Sequence, residues 1–465
     1  MREHALRQSR TDLRYLPSVR GPLVRADHFP VGTLREWGWW RPIAVNILMM
    51  TNTFTPFVGG VSRSVTAFTD ELRAMGHRVV VVAPEFADMP ESERDVIRIP
   101  AIQHFNGSDF ALVLPIPGYL SAHLERFKPD IVHSHHPYLL GGAAVRVASR
   151  FECPLVFTYH TMYEHYLHYV PAHAKRLHRF VINLVTGYCD LCDRVVAPSR
   201  SVAEILQERG VETPVDVVPT GVCVEQFERA DGGAFRRSHR IPEGAFLAGY
   251  VGRLAPEKNL SFLAEAVGQF VSRTPEAHFL VVGSGPSEHD LQRVFRRLAS
   301  VDRLHLVGSL EGQALADAYH AMNVFVFASC TETQGMVLTE AMAAGRPVVG
   351  IDAPGVREVV KDRRNGRLVP SQDVQAFAEA MDELARARPE QAQAYRQAAR
   401  ATAAEFSMGT SARKLAEIYE KVVGQDAPAS KDESRWGGAI EAIKAEWELI
   451  KNIAEAASHT LAEVE

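Results

Sequence analysis

The chain has 465 residues, 46% of them hydrophobic and 23% charged, the balance of a folded protein long enough for two domains. Its formal net charge of −5 offers no overall attraction to nucleic acid or anionic membrane, so no nucleic-acid partner is expected and any basic patch must be local. No run approaches the ~20 consecutive apolar residues that cross a bilayer. The five cysteines, with no secretory leader, read as reduced thiols of a cytoplasmic protein.

Residues 1–41 stand apart. They are rich in arginine and free of lysine, and Trp37, Trp39 and Trp40 crowd their end. They read as a leader, disordered or interfacial, since Trp and Arg favour the headgroup region. From Ile43 strand and helix alternate. Ile43–Met50 is an apolar run of strand length, followed by a Gly-rich loop and a helix expected from Gly60 to about Met75, stopped by Gly76. His77–Ala83, Asp130–Ser134 and Leu155–Tyr159 are the next predicted strands. The pattern restarts at Phe246–Val251 and runs through Phe279–Val282, Leu304–Val307, Asn323–Phe327 and Pro347–Ile351. Such alternation predicts parallel sheets with helices on both faces. Two doubly wound sheets are expected, divided near Pro219–Asp231, where Pro and Gly interrupt the pattern. The expected domains are 42–225 and 226–423. A polar linker and a last helix follow over 424–465, where Ile440, Ile443, Trp447, Ile450 and Ile453 recur at helical spacing.

Open parallel sheets bind ligands beyond the carboxyl ends of their strands. Gly59, His135, Arg253 and Glu332 all follow predicted strands, which points to a cleft between two facing domains. Gly249-Tyr-Val-Gly-Arg253-Leu-Ala-Pro-Glu-Lys258 sets two cations five residues apart on a loop, a pairing that suits a diphosphate. Glu332-Thr-Gln-Gly335-Met-Val-Leu-Thr-Glu340 ends a strand with one carboxylate and carries a second eight positions on. Carboxylates accept hydrogen bonds from sugar hydroxyls, so a site with both pairs suits a sugar nucleotide. Gly59-Gly60 lets backbone approach a ligand and opens a helix whose first N–H groups suit an anion. Neither this pair nor Gly283-Ser-Gly285-Pro reaches the third glycine of a dinucleotide fingerprint, which disfavours NAD. No Asp-x-Asp ends a predicted strand, and His133, His135 and His136 have no carboxylate at ligand spacing, so no metal is expected. Cys189-Asp-Leu-Cys192 reads as a helix face rather than a zinc or redox motif.

With Thr55-Pro-Phe-Val-Gly59-Gly60-Val, Asp130-Ile-Val-His133-Ser-His135-His136 and Pro219-Thr-Gly221-Val, these stretches resemble the signatures of retaining glycosyltransferases of family 4, over roughly Ile43–Val423. The resemblance implies the α/β GT-B fold: two facing Rossmann-like domains with the active site between them. It implies Arg253 and Lys258 on the donor diphosphate, Glu332 on the transferred sugar and Glu340 on the ribose. Gln334, Gly335, Met336 and Val337 would offer backbone N–H groups to the donor, and Gly59 and Gly60 would border it. His135 would bind a donor-sugar hydroxyl, so that His135 and Glu332 are the catalytic candidates; His133 reads as structural. Where this chain has Gln334-Gly335 the family usually has Phe-Gly, which leaves the side-chain contact at 334 open. Front-face attack, no metal and no cofactor are implied.

The stretch Thr158-Tyr-His160-Thr-Met-Tyr163 onward to Pro171 resembles the matching segment of bacterial diacylglycerol glucosyltransferases. His160 and Tyr163 are its acceptor-site candidates, and Lys175, Arg176, His178 and Arg179 could meet anionic headgroups. The implied reaction moves a hexose, glucose from UDP-glucose, to a hydroxyl of a diacylglycerol-type lipid, with the enzyme peripheral on the inner face of the cell membrane. One competing reading is a GDP-mannose or UDP-sugar transferase with a soluble or oligosaccharide acceptor. A sugar-nucleotide 2-epimerase is argued against by Arg253, Lys258 and the two glutamates. A non-catalytic binding protein would leave a full donor site unused.

Overall fold

A computed structural model describes residues 44–57, 59–87, 89–90, 92–102, 112–113, 120–163 and 174–424. The leader, the aromatic strip from 164 to 173 and the tail from 425 to 465, with its expected helix, lie outside the described residues.

In chain order the strands are β1 (Asn46–Met50), β2 (Arg78–Pro84), β3 (Val96–Ile99), β4 (Ala101–Ile102), β5 (Leu112–Val113), β6 (Ile131–Ser134), β7 (Leu155–Thr158), β8 (Arg194–Ala197), β9 (Val215–Val217), β10 (Phe246–Val251), β11 (Ala277–Val282), β12 (Leu304–Leu306), β13 (Val324–Phe327), β14 (Val348–Ile351) and β15 (Gly366–Val369). One sheet has the order β3-β2-β1-β6-β7-β8-β9, the other β12-β11-β10-β13-β14-β15. Both are parallel at every pairing; β4 and β5 pair antiparallel with each other. Helices cover both faces, so central strands need no polar alternation. β2 is buried from Val79 to Pro84, and the helix Gly60–Ala74 lays Val65, Phe68 and Leu72 against the sheet at helical spacing.

Both expected parallel sheets are present, each longer than the apolar runs suggested, and β4 with β5 adds a small third sheet. β3, β8 and β9 complete the first and β15 the second. β3, β9 and β15 are edge strands, and edge strands need less apolar sequence: β9 reads Val-Asp-Val and is partly solvated. β8 is buried but carries only Val195, Val196 and Ala197 as apolar signal.

The expected domain limit needs one correction. The helix Met408–Val423 falls in the span 226–423 yet packs into the first domain, with Met408, Leu415, Ile418 and Tyr419 buried among Val45, Val65, Leu72 and Val79. Its apolar stripe is visible in sequence, but a stripe does not say which sheet it covers. The chain crosses back where Val222 N donates to Phe406 O at 2.9 Å and Met408 N donates to Val222 O at 3.0 Å. Gly221 makes this crossing possible, because a Cβ there would stand 2.2 Å from Met408 Cα. No helix among the described residues is long and apolar enough to cross a membrane.

Candidate active site

The loop after β10 is built on backbone contact. Gly252 (φ 151°) and Gly283 (φ 133°) lie in the region that favours glycine. A Cβ on Gly283 would stand 2.0 Å from Gly252 O, so the turns after β10 and β11 pack main chain on main chain. Tyr250 donates its hydroxyl to Arg253 O at 3.2 Å. The Arg253 guanidinium pairs with Glu257 and remains largely exposed. A 3₁₀ turn, Pro256–Lys258, follows. Asn259, at φ 56°, takes a left-handed conformation that Asn tolerates and donates to Ala328 O at 3.1 Å, at the end of β13. Ser329 and Thr331 each donate a hydroxyl to Glu257 O at 3.3 Å. These bonds staple the loop after β10 to the loop after β13, and Lys258 Nζ meets Glu332 Oε1 at 2.6 Å. Both side chains are 18% exposed.

Gly335, at φ 72°, turns the chain into the helix Met336–Ala343, whose opening residues Met336 and Val337 sit beside the Glu332 loop. Glu340 on this helix accepts from Tyr319 Oη at 2.7 Å, and its other oxygen is 3.4 Å from Arg63 Nη1. Arg63 lies one turn into the helix that Gly59 caps and Gly60 opens, so the Gly-Gly loop of the first domain faces the second carboxylate of the other. Burial, reinforced by the charge of Glu340, holds the Tyr319 hydroxyl well above the ordinary phenol range. Tyr319 is therefore a neutral donor fixing the orientation of Glu340. A Cβ on Gly60 would meet nothing within 4 Å, whereas one on Gly59 would stand 2.8 Å from the Phe57 ring. Of this pair, Gly60 is the one that opens onto free space.

The side chain of Gln334 does not turn toward a donor. It is buried against the crossover, with Oε1 accepting from Thr220 N and Nε2 donating to Thr220 O, each at 2.6 Å. Of Gln334 only the main chain remains for a donor contact.

His135 follows β6 and is buried, as are His133 and His136. His135 Nδ1 is 3.0 Å from His160 Nε2, while His135 Nε2 is buried with no hydrogen-bond partner. His133 is held structurally between Tyr419 Oη at 2.6 Å and Thr158 Oγ1 at 2.7 Å. His136 Nδ1 accepts from Asn52 N at 3.1 Å. Thr333 donates to His160 O at 2.9 Å, which sets the Glu332 loop against His160 and His135. Tyr163 is partly buried, its ring edge-on to Tyr138 and Tyr159.

Burial pushes His133, His136 and His160 down to about 3, and burial with the neighbouring imidazoles holds His135 well below its usual 6.5. All four are neutral at pH 7. The unfolded chain binds these protons near pH 6.5, so the stability tied to their neutral state is complete above pH 6.5 and is lost as pH falls toward 3. Each ring withdraws up to about 1.4 kcal/mol per pH unit in that window. The urea midpoint should therefore drop clearly between pH 7.5 and pH 5; an unchanged midpoint would contradict the buried neutral cluster.

Among the described residues no group of three or more His, Cys, Asp or Glu side chains is set to hold a metal ion. Cys189, on the helix Ala174–Leu191, is buried and its thiol is pushed up by burial; Cys192, buried just past that helix, donates its thiol to Tyr188 O at 3.3 Å.

The geometry thus pairs Lys258 with Glu332, ties the Glu332 loop through Thr333 to His160 and its neighbour His135, and sets Glu340 against Arg63 of the helix that Gly60 opens, while Arg253 pairs with Glu257 on its own loop. Sequence reasoning missed Arg63, Thr333, Tyr319 and Gly355. Gly355, at φ 77°, backs the loop so closely that a Cβ would stand 3.0 Å from both Gln334 N and Glu332 O. It follows the predicted strand Pro347–Ile351, so the strand-end rule could have found it. Nothing in the pattern singles out Tyr319.

Residues 58–226 match the family model for Glycosyltransferase Family 4, and residues 245–387 match that for Glycosyl transferases group 1. The chain is 28% identical over 337 residues to the alpha-monoglucosyldiacylglycerol synthase of Streptococcus pneumoniae (strain ATCC BAA-255 / R6), covering 70% of this chain and 75% of that protein. It is 31% identical over 334 residues to the GDP-mannose-dependent alpha-mannosyltransferase of Mycobacterium tuberculosis (strain CDC 1551 / Oshkosh), covering 70% and 84%. The fold matches the sucrose-phosphate synthase from Thermosynechococcus elongatus with a TM-score of 0.66 at 22% identity, over 81% of this chain and 99% of that one. Two facing parallel-sheet domains, both models in chain order and 31% identity across most of a transferase lead to one assignment: the chain belongs to glycosyltransferase family 4 and is a glycosyltransferase of the GT-B fold.

Proposed function

We propose that this glycosyltransferase is a retaining hexosyltransferase that moves glucose from UDP-glucose to a hydroxyl of a diacylglycerol-type lipid. The observation that carries the reading is the Lys258–Glu332 contact of 2.6 Å, together with neutral His135, whose buried Nε2 has no hydrogen-bond partner. Across that contact the two charges neutralise each other. An entering diphosphate draws Lys258 and Arg253, which frees Glu332 to accept from a sugar hydroxyl. As the bond from C1 to the phosphate oxygen breaks, negative charge grows on the leaving diphosphate. Fixed cations stabilise that charge more in the transition state than in the substrate, and the first amides of the helix Met336–Ala343 add to them.

The acceptor hydroxyl forms its bond to C1 on the face the phosphate leaves, and its proton passes to the departing phosphate oxygen. An α-configured donor then yields an α-configured product, through positioning rather than a strong base. His135 cannot be that base at neutral pH, since burial keeps it a weak one. Its role is to accept from or donate to a single hydroxyl. Glu340, held by Tyr319, takes the ribose.

The name of the pneumococcal relative supports the lipid acceptor and glucose. That of the mycobacterial relative supports a second reading, mannose from GDP-mannose. Radiolabelled UDP-glucose and GDP-mannose, each offered with lipid extract and with soluble sugars, decide between them. Label from UDP-glucose in the organic phase supports the first reading; label from GDP-mannose alone favours the second. Because Arg253 and Lys258 supply the positive charge a metal would otherwise bring, transfer should persist in excess EDTA. Loss restored by Mg²⁺ or Mn²⁺ would contradict that division of labour. A lipid acceptor also requires docking without spanning. Full-length protein should co-sediment with anionic liposomes and be released by salt; a chain beginning at Pro42 tests whether residues 1–41 contribute.

A further inference from the structure

Gln334 is 4% exposed and matches both polar groups of a single residue, accepting from Thr220 N and donating to Thr220 O at 2.6 Å each. The peptide N–H must face the amide oxygen, so the amide has only one orientation there. Thr220 lies at the crossover between the domains, just before Gly221, whose missing Cβ leaves room for Met408. Its hydroxyl is 2.8 Å from Ser64 Oγ, on the helix Gly60–Ala74 of the first domain. One residue earlier Thr333 donates to His160 O, on the same domain. The two residues after Glu332 therefore carry successive bonds from the loop to the first domain and the crossover. Gly355 supports the loop from behind. A loop that holds a reacting group needs such support, because errors of about 0.5 Å in a reacting group already cost rate.

We propose that Gln334 is a positioning residue: by clamping Thr220 it registers Glu332 against the first domain, so that the sugar-facing carboxylate and His135 address the same sugar. The inference rests on the reading that Glu332 faces the transferred sugar. Donor affinity comes mainly from Arg253, Lys258 and Glu340, which the clamp does not touch. Losing the clamp should then lower turnover rather than donor binding.

The test uses full-length Gln334→Leu and Gln334→Glu beside wild type and Glu332→Ala, with kcat and donor KM measured from pH 5.5 to pH 8. Gln334→Leu should lose kcat by roughly 10- to 100-fold with donor KM within about threefold. Gln334→Glu separates positioning from mere folding. Its ionised carboxylate repels Thr220 O, whereas the protonated acid is isosteric with the amide and restores both bonds. Burial raises the carboxyl pKa into the tested range. Its activity relative to wild type should rise about tenfold or more from pH 8 to pH 5.5. Taking the ratio cancels any pH dependence that the variant shares with wild type. Wild-type kcat in Gln334→Leu, a KM-only effect, or a flat ratio for Gln334→Glu overturns the proposal. If Glu332→Ala keeps wild-type turnover, the site reading itself fails; if it is inactive while both Gln334 variants are normal, only the clamp fails.

Discussion

Replacing Lys258 or Glu332 by alanine is expected to lower kcat by two to three orders of magnitude, about 2–4 kcal/mol of transition-state stabilisation. In the proposed reaction each residue meets the growing charge on a different side, Lys258 on the leaving phosphate and Glu332 on the sugar. They pair with each other at 2.6 Å, so each single variant removes that pairing. The pair is 18% exposed on both sides, and water screens part of that penalty. Thermal stability should fall by only a few degrees while activity nearly vanishes. The double variant should be little worse than either single one, because residues acting as a unit are not additive. Measured kcat, donor KM and Tm for the three variants check this. Wild-type turnover in either single variant contradicts the site.

The largest effect on stability is expected from Gly221→Ala. The new Cβ would stand 2.2 Å from Met408 Cα and 2.5 Å from Met408 N. Those are main-chain atoms, which cannot rotate away as a side chain does. The backbone must move apart, and with it go the bonds from Val222 to Phe406 and Met408. The helix Met408–Val423 would lose its seat, exposing part of the surface of Leu415, Ile418 and Tyr419. Tyr419 also holds His133, the neighbour of the site. A loss of about 3–5 kcal/mol follows from overpacking combined with a broken buried bond network. Urea denaturation measures it, and an unchanged midpoint would show that the crossover is not as tight as described.

These two variants illustrate what the sequence revealed and what it did not. Lys258 and Glu332 were legible because each follows an apolar strand, β10 and β13, and because charges at strand ends of parallel sheets point to ligands. Their contact could not be read, since 74 residues separate them and hydroxyls and backbone carbonyls, not charge pattern, staple their loops together. Gly221 was visible as an interruption of the pattern. That it marks a return crossing depends on Met408, nearly two hundred residues on, and no local signal connects the two. Gln334 was expected at the donor by position. Its side chain goes to Thr220 because a buried unpaired peptide group would cost more than a solvent-facing amide. β15 escaped notice because a Gly-Arg-Leu-Val edge strand carries little apolar sequence. Tyr319 looked like one more aromatic on a helix, and only its 2.7 Å bond to Glu340 marks it.

The central claim is that Arg253, Lys258, Glu332 and Glu340 hold a nucleotide sugar whose hexose leaves with its configuration retained. NMR of the product formed from α-configured UDP-[¹³C]glucose and diacylglycerol in mixed micelles tests it most directly. The account predicts an α-anomeric carbon in the lipid product from wild type and none from Glu332→Ala. A β-anomeric product, or equal product from the Glu332 variant, would contradict it.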